Sequence, residues 1–267
     1  MTVQTAAAPP RQSRELSLRG RDRILSIASP IGLLLIWEIA AQLNVIDTRF
    51  FPAPSSILTL LYDMVKSGEL LLHTWASLQR LFWGIILGGV PALVLGIVMG
   101  LNRTIRALVD PIIAATYPIP KSSILPLALL IFGLGESSKI FMVAVGVFFP
   151  VAINATTGVR EINKIYLDVG RNYKADRWNM FWTIALPGAL PVIMTGFKLG
   201  IGIGLILIAI AEMIGAKSGL GYLIWSAWET FAVEQMYVGL FMIALIGFTL
   251  TVALNELERI IIPWKTS

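Results

Sequence analysis

The sequence predicts an all-α integral membrane protein with about six spanning helices, and three observations carry that prediction. Hydrophobic residues make up 56% of the chain, charged residues only 14%, and the mean hydropathy is +0.77. A soluble domain carries about 25% charged residues, so this chain lacks the polar surface to cover itself in water. Apolar runs of about 20 residues, enough to cross a bilayer core as a helix, recur along it. Basic residues gather between those runs, chiefly in alternate gaps, which is the pattern of the positive-inside bias. That bias accounts for the net charge of +5 without any nucleic-acid partner. The chain has no cysteine and His73 is its single histidine, so disulfides, a thiolate or histidine metal site and a catalytic triad are not expected.

Taken in order, residues 1–23 are polar, hold Pro9 and Pro10, and carry Arg11, Arg14, Arg19, Arg21 and Arg23. They are expected to form a disordered basic cytoplasmic tail ahead of a membrane domain over 24–267. The apolar run 24–43 is longer than a signal-peptide core and no small-residue cleavage site follows, so it reads as a retained first span. The second span, 81–101, is rich in glycine (Gly84, Gly88, Gly89, Gly96 and Gly100), which fits close helix packing where lipid gives no hydrophobic drive to associate. The third, 111–134, is interrupted by Pro118, Pro120 and Pro126. The fourth, fifth and sixth cover 140–159, 190–214 and 238–262.

Two connecting segments are too long for simple turns. Residues 44–79 include Pro54, Ser55 and Ser56, a helix-start signal, followed by apolar Ile57, Leu60, Leu61, Met64 and Val65. Residues 219–237 carry Tyr222, Trp225, Trp228 and Phe231 at helical spacing. Both are expected to be amphipathic helices at the outer interface, with the aromatic residues serving as anchors. Orientation follows from the basic residues. With the N-terminus cytoplasmic, 14 of the 21 lysines and arginines fall on the inner side, so both ends of the chain are expected inside.

The longest polar break in the second half runs from Tyr166 to Pro187. It mixes charges of both signs with Tyr, Trp and Phe, and is too long for a helix-to-helix connection in a compact bundle. It reads as a docking element. Asp176 is well placed as the N-cap of a short helix over 177–182.

This loop resembles the signature of ATP-binding-cassette (ABC) importer permeases: E-A-A, three residues, G, nine residues, then I-x-L-P. Asp168, Val169 and Gly170 fall on E-A-A, Lys174 on the glycine, and Ile184, Leu186 and Pro187 on I-x-L-P. Further segments, P-I-P-K (118–121), F-G-L-G-E-S-S-K (132–139), A-E-M-I (211–214), G-L-G-Y (219–222) and E-R-x-x-x-P-W (258–264), resemble the nitrate, sulfonate, taurine and bicarbonate subfamily. The resemblance covers about 50–264 and implies the type I ABC importer permease fold, with a cytoplasmic coupling helix-turn-helix over 164–187. It implies that Asp168, Gly170, Arg171, Tyr173, Lys174, Ala175, Asp176, Arg177, Trp178 and Pro187 form the element that docks on a separate ATPase. Tyr173 and Trp178 would be anchors, and Asp168, Arg171, Lys174 and Arg177 would pair across a polar rim. The chief departure is Lys174. A glycine there turns one helix into the next, whereas lysine is sterically disfavoured in a left-handed backbone, so a different turn geometry is expected.

The remaining expectations concern transport. No P-loop occurs: G-A-K-S at Gly215 lacks the register of G-x-x-x-x-G-K-[ST]. The chain is therefore expected to be non-catalytic and to bind no cofactor itself, with ATP and magnesium on the partner ATPase. The resemblance also implies a second permease copy as a homodimer, a periplasmic or lipid-anchored solute-binding protein, and a bacterial plasma (inner) membrane location. Charged groups inside spans mark functional candidates. Lys121 either faces the translocation path, offering positive potential to a small anionic solute, or pairs structurally with Glu212 or Glu38. Glu212 is that partner or part of an outer gate, and Lys198 is placed to snorkel to the cytoplasmic edge. An ion-coupled secondary transporter is the alternative function, though it would show paired broken helices in inverted repeats, and only the third span is clearly broken.

Overall fold

A computed structural model describes residues 12–264, and every regular element among the described residues is helical. The chain divides into two compact units between Leu60 and Leu61. In the first, α1 (Gln12–Gln42) holds the apolar stretch Ala28–Gln42. Because α1 begins at Gln12, the disorder expected over 1–23 does not hold over 12–23. Gln, Glu, Leu and Arg, all good helix formers, make up eight of the twelve residues 12–23, and no proline intervenes between Pro10 and Pro30. Residues 1–11 lie outside the described residues. After α1 comes α2 (Pro54–Ser67), the first of the two expected amphipathic helices. Its first turn is capped by Glu38, which accepts from the Ser55 backbone N–H (2.9 Å) and hydroxyl (2.8 Å).

The second unit contains the long, strongly apolar helices. Gly68, with φ of 84°, opens α3 (Glu69–Leu101), which begins twelve residues before the expected second span. Its extra turns carry His73, Ser77 and Arg80 along one buried face. Asn102 caps α4 (Arg103–Thr116), accepting from the N–H groups of Thr104 (2.9 Å) and Ile105 (3.2 Å). A 3₁₀ turn, Lys121–Ile124, then leads into α5 (Leu125–Phe132), at 90° to α4. Pro118 and Pro120 force this bend, since each restricts the residue before it and donates no backbone hydrogen bond. The third expected span is therefore a broken pair.

Next come α6 (Glu136–Arg160), α7 (Lys164–Asn172) and α8 (Arg177–Asn179). The last runs on through a π-helical segment, Met180–Ala185, into α9 (Leu186–Met213). Pro187 has no N–H for a helical carbonyl, and the Leu186 N–H reaches back five residues to the Phe181 carbonyl. The chain closes with α10 (Leu220–Glu229), on the second expected interfacial segment, and α11 (Val233–Ile261). Among the described residues α3, α6, Met180–Met213 and α11 are each long and apolar enough to cross a bilayer, and α4 with α5 makes a fifth crossing if the bent pair is one span. At the first of the six expected positions stands the shorter apolar stretch Ala28–Gln42.

Helix α6 packs against α3 on one side and α9 on the other. Val143, Val147 and Val151 are fully buried there with Leu81 and Ala92 of α3 and Ile208 of α9. The close approach of α3 and α6 depends on glycine. A Cβ at Gly88 would lie 2.7 Å from the Ala144 Cα, and one at Gly96 would lie 2.6 Å from the Ala155 Cβ. The opposite side of α3 exposes Phe82, Trp83, Leu87, Val90 and Val94, a face suited to lipid rather than water.

Candidate functional site

The hairpin between α6 and α9 is built on three local devices. Asn163 caps α7, its side-chain oxygen accepting from the Ile165 N–H (3.0 Å). The turn after α7 closes with Ala175 N–H to the Gly170 carbonyl (2.9 Å) and Lys174 N–H to the Arg171 carbonyl (2.9 Å). That pair of bonds is a Schellman turn, which requires a left-handed residue at Lys174, and Lys174 has φ of 53°. The expected change of turn geometry does not occur: lysine adopts the conformation that glycine would favour, at about 1–2 kcal/mol of steric cost. Asp176 is the expected N-cap, accepting from the Asn179 N–H (3.2 Å).

Gly170 is the buried pivot of the hairpin. A Cβ on it would meet the Ile184 Cδ1 at 2.6 Å and the Met180 Cε at 2.8 Å, so α7 lies directly on the π-helical segment. Around this pivot Asp168 and Arg171 form an exposed ion pair (3.2 Å), Ala175 and Pro187 are half-buried, and Arg177 opens the second helix. The side chain of Arg177 lies outside the described residues. The outer surface is unusually apolar for a polar loop: Ile165, Tyr166, Val169, Tyr173 and Trp178 are all exposed, Tyr173 by 86%. The hairpin therefore exposes aromatic and aliphatic side chains alongside the charged residues Asp168, Arg171 and Lys174.

A second cluster lies at the other end of α9, ~39 Å away along the helix axis from Leu186. Glu212 is completely buried, and its carboxylate accepts from the Arg80 guanidinium (2.7 Å), the Ser77 hydroxyl (2.8 Å) and the Gly221 N–H (3.0 Å). Arg80 also donates to Glu136 (2.5 and 2.8 Å) and to the Ser218 carbonyl (2.7 Å). His73 accepts from the Gly219 N–H through Nδ1 (3.1 Å). At Gly219, with φ of 117°, any Cβ would collide with the Glu212 carboxylate. Segments around 136, 212 and 219–221, which carry the subfamily resemblance, thus converge on one buried network.

Sequence reasoning missed Arg80, counting it only among the seven lysines and arginines outside the inner side. The spacing of His73, Ser77 and Arg80 on one helical face, running on into Gly84 and Gly88, was the available signal.

Lys121 does not pair with Glu212. Its ammonium donates to the Thr116 (2.9 Å) and Tyr117 (3.0 Å) carbonyls at the end of α4, and lies 4.0 Å from the centre of the Phe149 ring. It supplements the backbone bonding at the end of α4, where Pro120 offers the Thr116 carbonyl no N–H, at the margin of an apolar cavity of about 440 Å³ lined by Leu87, Gly88, Ala144, Phe148 and Phe149. Lys198 also differs from expectation. Rather than only snorkelling, it bridges α9 to α11 through Asn255 (2.6 Å) and Glu258. Among the described residues no group of three or more His, Cys, Asp and Glu is placed to hold a metal ion.

Long apolar helices, a proline-broken pair and an exposed helical hairpin together define a multi-span membrane protein. The chain belongs to the family of binding-protein-dependent transport system inner membrane components, which matches residues 92–267. It is 36% identical to the taurine transport system permease protein TauC of Escherichia coli (strain K12), over 94% of each chain. It is 35% identical to the putative aliphatic sulfonates transport permease protein SsuC of the same organism, over 88% of this chain and 90% of that one. The nitrate import permease protein NrtB of Synechocystis sp. is 28% identical over 98% of each chain. The fold is shared with the solved inward-facing MetNI methionine ABC transporter (TM-score 0.53, 21% identity), over 70% of this chain and 93% of that one. The resemblance to ABC importer permeases of this subfamily is borne out.

Proposed function

We propose that this permease conducts a small anionic solute of the taurine, sulfonate, nitrate or bicarbonate class across a bacterial inner membrane, driven by a separate ATPase that docks on the 164–187 hairpin. The observation that carries this reading is the hydrogen-bonded left-handed turn at Lys174, which leaves Tyr173 and Trp178 exposed on either side of it on a polar hairpin. A docking element that transmits force must be stiff, and the two caps and the Schellman turn supply that stiffness. The chain itself performs no hydrolysis in this reading. Two copies form the conduit, both ends of each chain are cytoplasmic, and a solute-binding protein delivers the substrate at the opposite face. Lys121 supplies positive potential beside the apolar cavity, and the Glu212 network fixes the outer ends of α3, α6 and α9. The relatives named for taurine, sulfonate and nitrate support the anionic class.

Co-purification tests the reading. The ATPase should remain bound to the wild-type chain through purification and be lost when Arg171 and Trp178 are changed to alanine together. Solute transport by the purified chain with no ATPase present would contradict it and favour an ion-coupled carrier.

A further inference from the structure

The turn at Lys174 carries more than geometry. Among the described residues only Asn44, Lys174 and Phe231 have positive φ without being glycine. Asparagine adopts that region readily, whereas lysine does not. Lysine thus occupies a position where glycine would make the same two turn hydrogen bonds without steric conflict, and strain of this kind is a pointer to function.

The charges around the turn show what the lysine offers. Asp168 is held by Arg171 at 3.2 Å, and Asp176 is engaged as the cap of the second helix through its bond to the Asn179 N–H. Lys174 is exposed and forms no ion pair among the described residues. It projects from the tip of the hairpin, directly after Tyr173 and four residues before Trp178, both strongly exposed. The tip therefore carries an exposed cation adjacent in sequence to Tyr173 and four residues before Trp178.

We infer that Lys174 is a partner-selecting contact: the groove of the ATPase that serves this permease presents a carboxylate at the point where the turn enters. The inference rests on the docking role proposed for the hairpin. The aromatic anchors supply general affinity, while the cation favours an ATPase with an acidic lip over one whose lip is neutral or basic, because unpaired or like charges across an interface are penalised. The left-handed backbone holds the lysine at the apex of the turn, where the groove would meet it first.

The test uses the full chain in nanodiscs and the ATPase that co-purifies with it, with affinity measured across ionic strength. Lys174→Met keeps the side-chain length and the backbone strain but removes the charge, and is expected to weaken ATPase binding about threefold to tenfold at low salt. The difference should shrink as salt is raised. Lys174→Gly should weaken binding to the same extent while forming the turn more readily, so misfolding cannot explain its loss. Lys174→Arg should bind like wild type, and Lys174→Glu should bind worst. Wild-type affinity in Lys174→Met at low salt would overturn the inference. So would a loss seen in phosphatidylglycerol nanodiscs but not in phosphatidylcholine ones, which would make Lys174 a lipid contact. Trp178→Ala separates the two claims. If it also binds normally, the docking role itself fails; if it alone loses binding, only the charge contact fails.

Discussion

Replacing Arg80 with methionine should be among the most destabilising single changes in the second unit. The substitution keeps an unbranched side chain but removes the cation that joins Glu212 to Glu136. Glu212, fully buried, would keep only the Ser77 hydroxyl and the Gly221 N–H, and Glu136 would lose both its bonds to the guanidinium. Breaking a buried ion pair from one side costs ~3–5 kcal/mol, because the stranded charge stays desolvated. Removing both partners should cost far less than the two single losses added together. Arg80→Met with Glu212→Met leaves the Gly221 N–H and the Ser77 hydroxyl short of an acceptor, at ~1–3 kcal/mol. Unfolding in mixed micelles, followed by tryptophan fluorescence, gives the four corners of the cycle. The reasoning is refuted if Arg80→Met costs less than about 1 kcal/mol, or if the single effects simply add, since residues joined by a direct charge contact should couple.

Three further predictions follow from the same geometry. Gly88→Val places a branched side chain against the Ala144 backbone and should destabilise the α3–α6 seam by ~1–3 kcal/mol, read in the same unfolding assay. Lys174→Gly relieves the left-handed strain and should stabilise the hairpin by about 1 kcal/mol, seen as slower hydrogen exchange over 164–187. Lys121→Met should abolish solute uptake in proteoliposomes while leaving assembly with the ATPase intact, and normal uptake would remove Lys121 from the pathway.

The sequence disclosed the hairpin better than the core. Cap positions depend on local residue types, so Asp176 could be placed from the residues themselves, while the boundary at Lys174 came from the resemblance to the importer signature. The geometry at Lys174 could not, because propensity argues against a left-handed lysine and only the surrounding turn imposes it. The proline-broken third span was legible from Pro118 and Pro120, although the 90° angle was not. The Arg80–Glu212 pair escaped detection because its members are 132 residues apart, and long-range pairing leaves no local periodicity. Glu212 was recognised as exceptional inside a span, but Arg80 was not named as its partner. Lys121 shows the same limit: a buried charge announces itself, yet backbone carbonyls as its partners cannot be read from residue types.

The central claim, that an ATPase covers the 164–187 hairpin, has a direct test because the chain contains no cysteine. Tyr173→Cys introduces a single thiol at the most exposed aromatic of the hairpin, and Trp225→Cys places one on α10 as a control. The account predicts that adding the ATPase shields position 173 from a membrane-impermeant maleimide and leaves labelling at 225 unchanged. Equal labelling at 173 with and without the bound ATPase would contradict it.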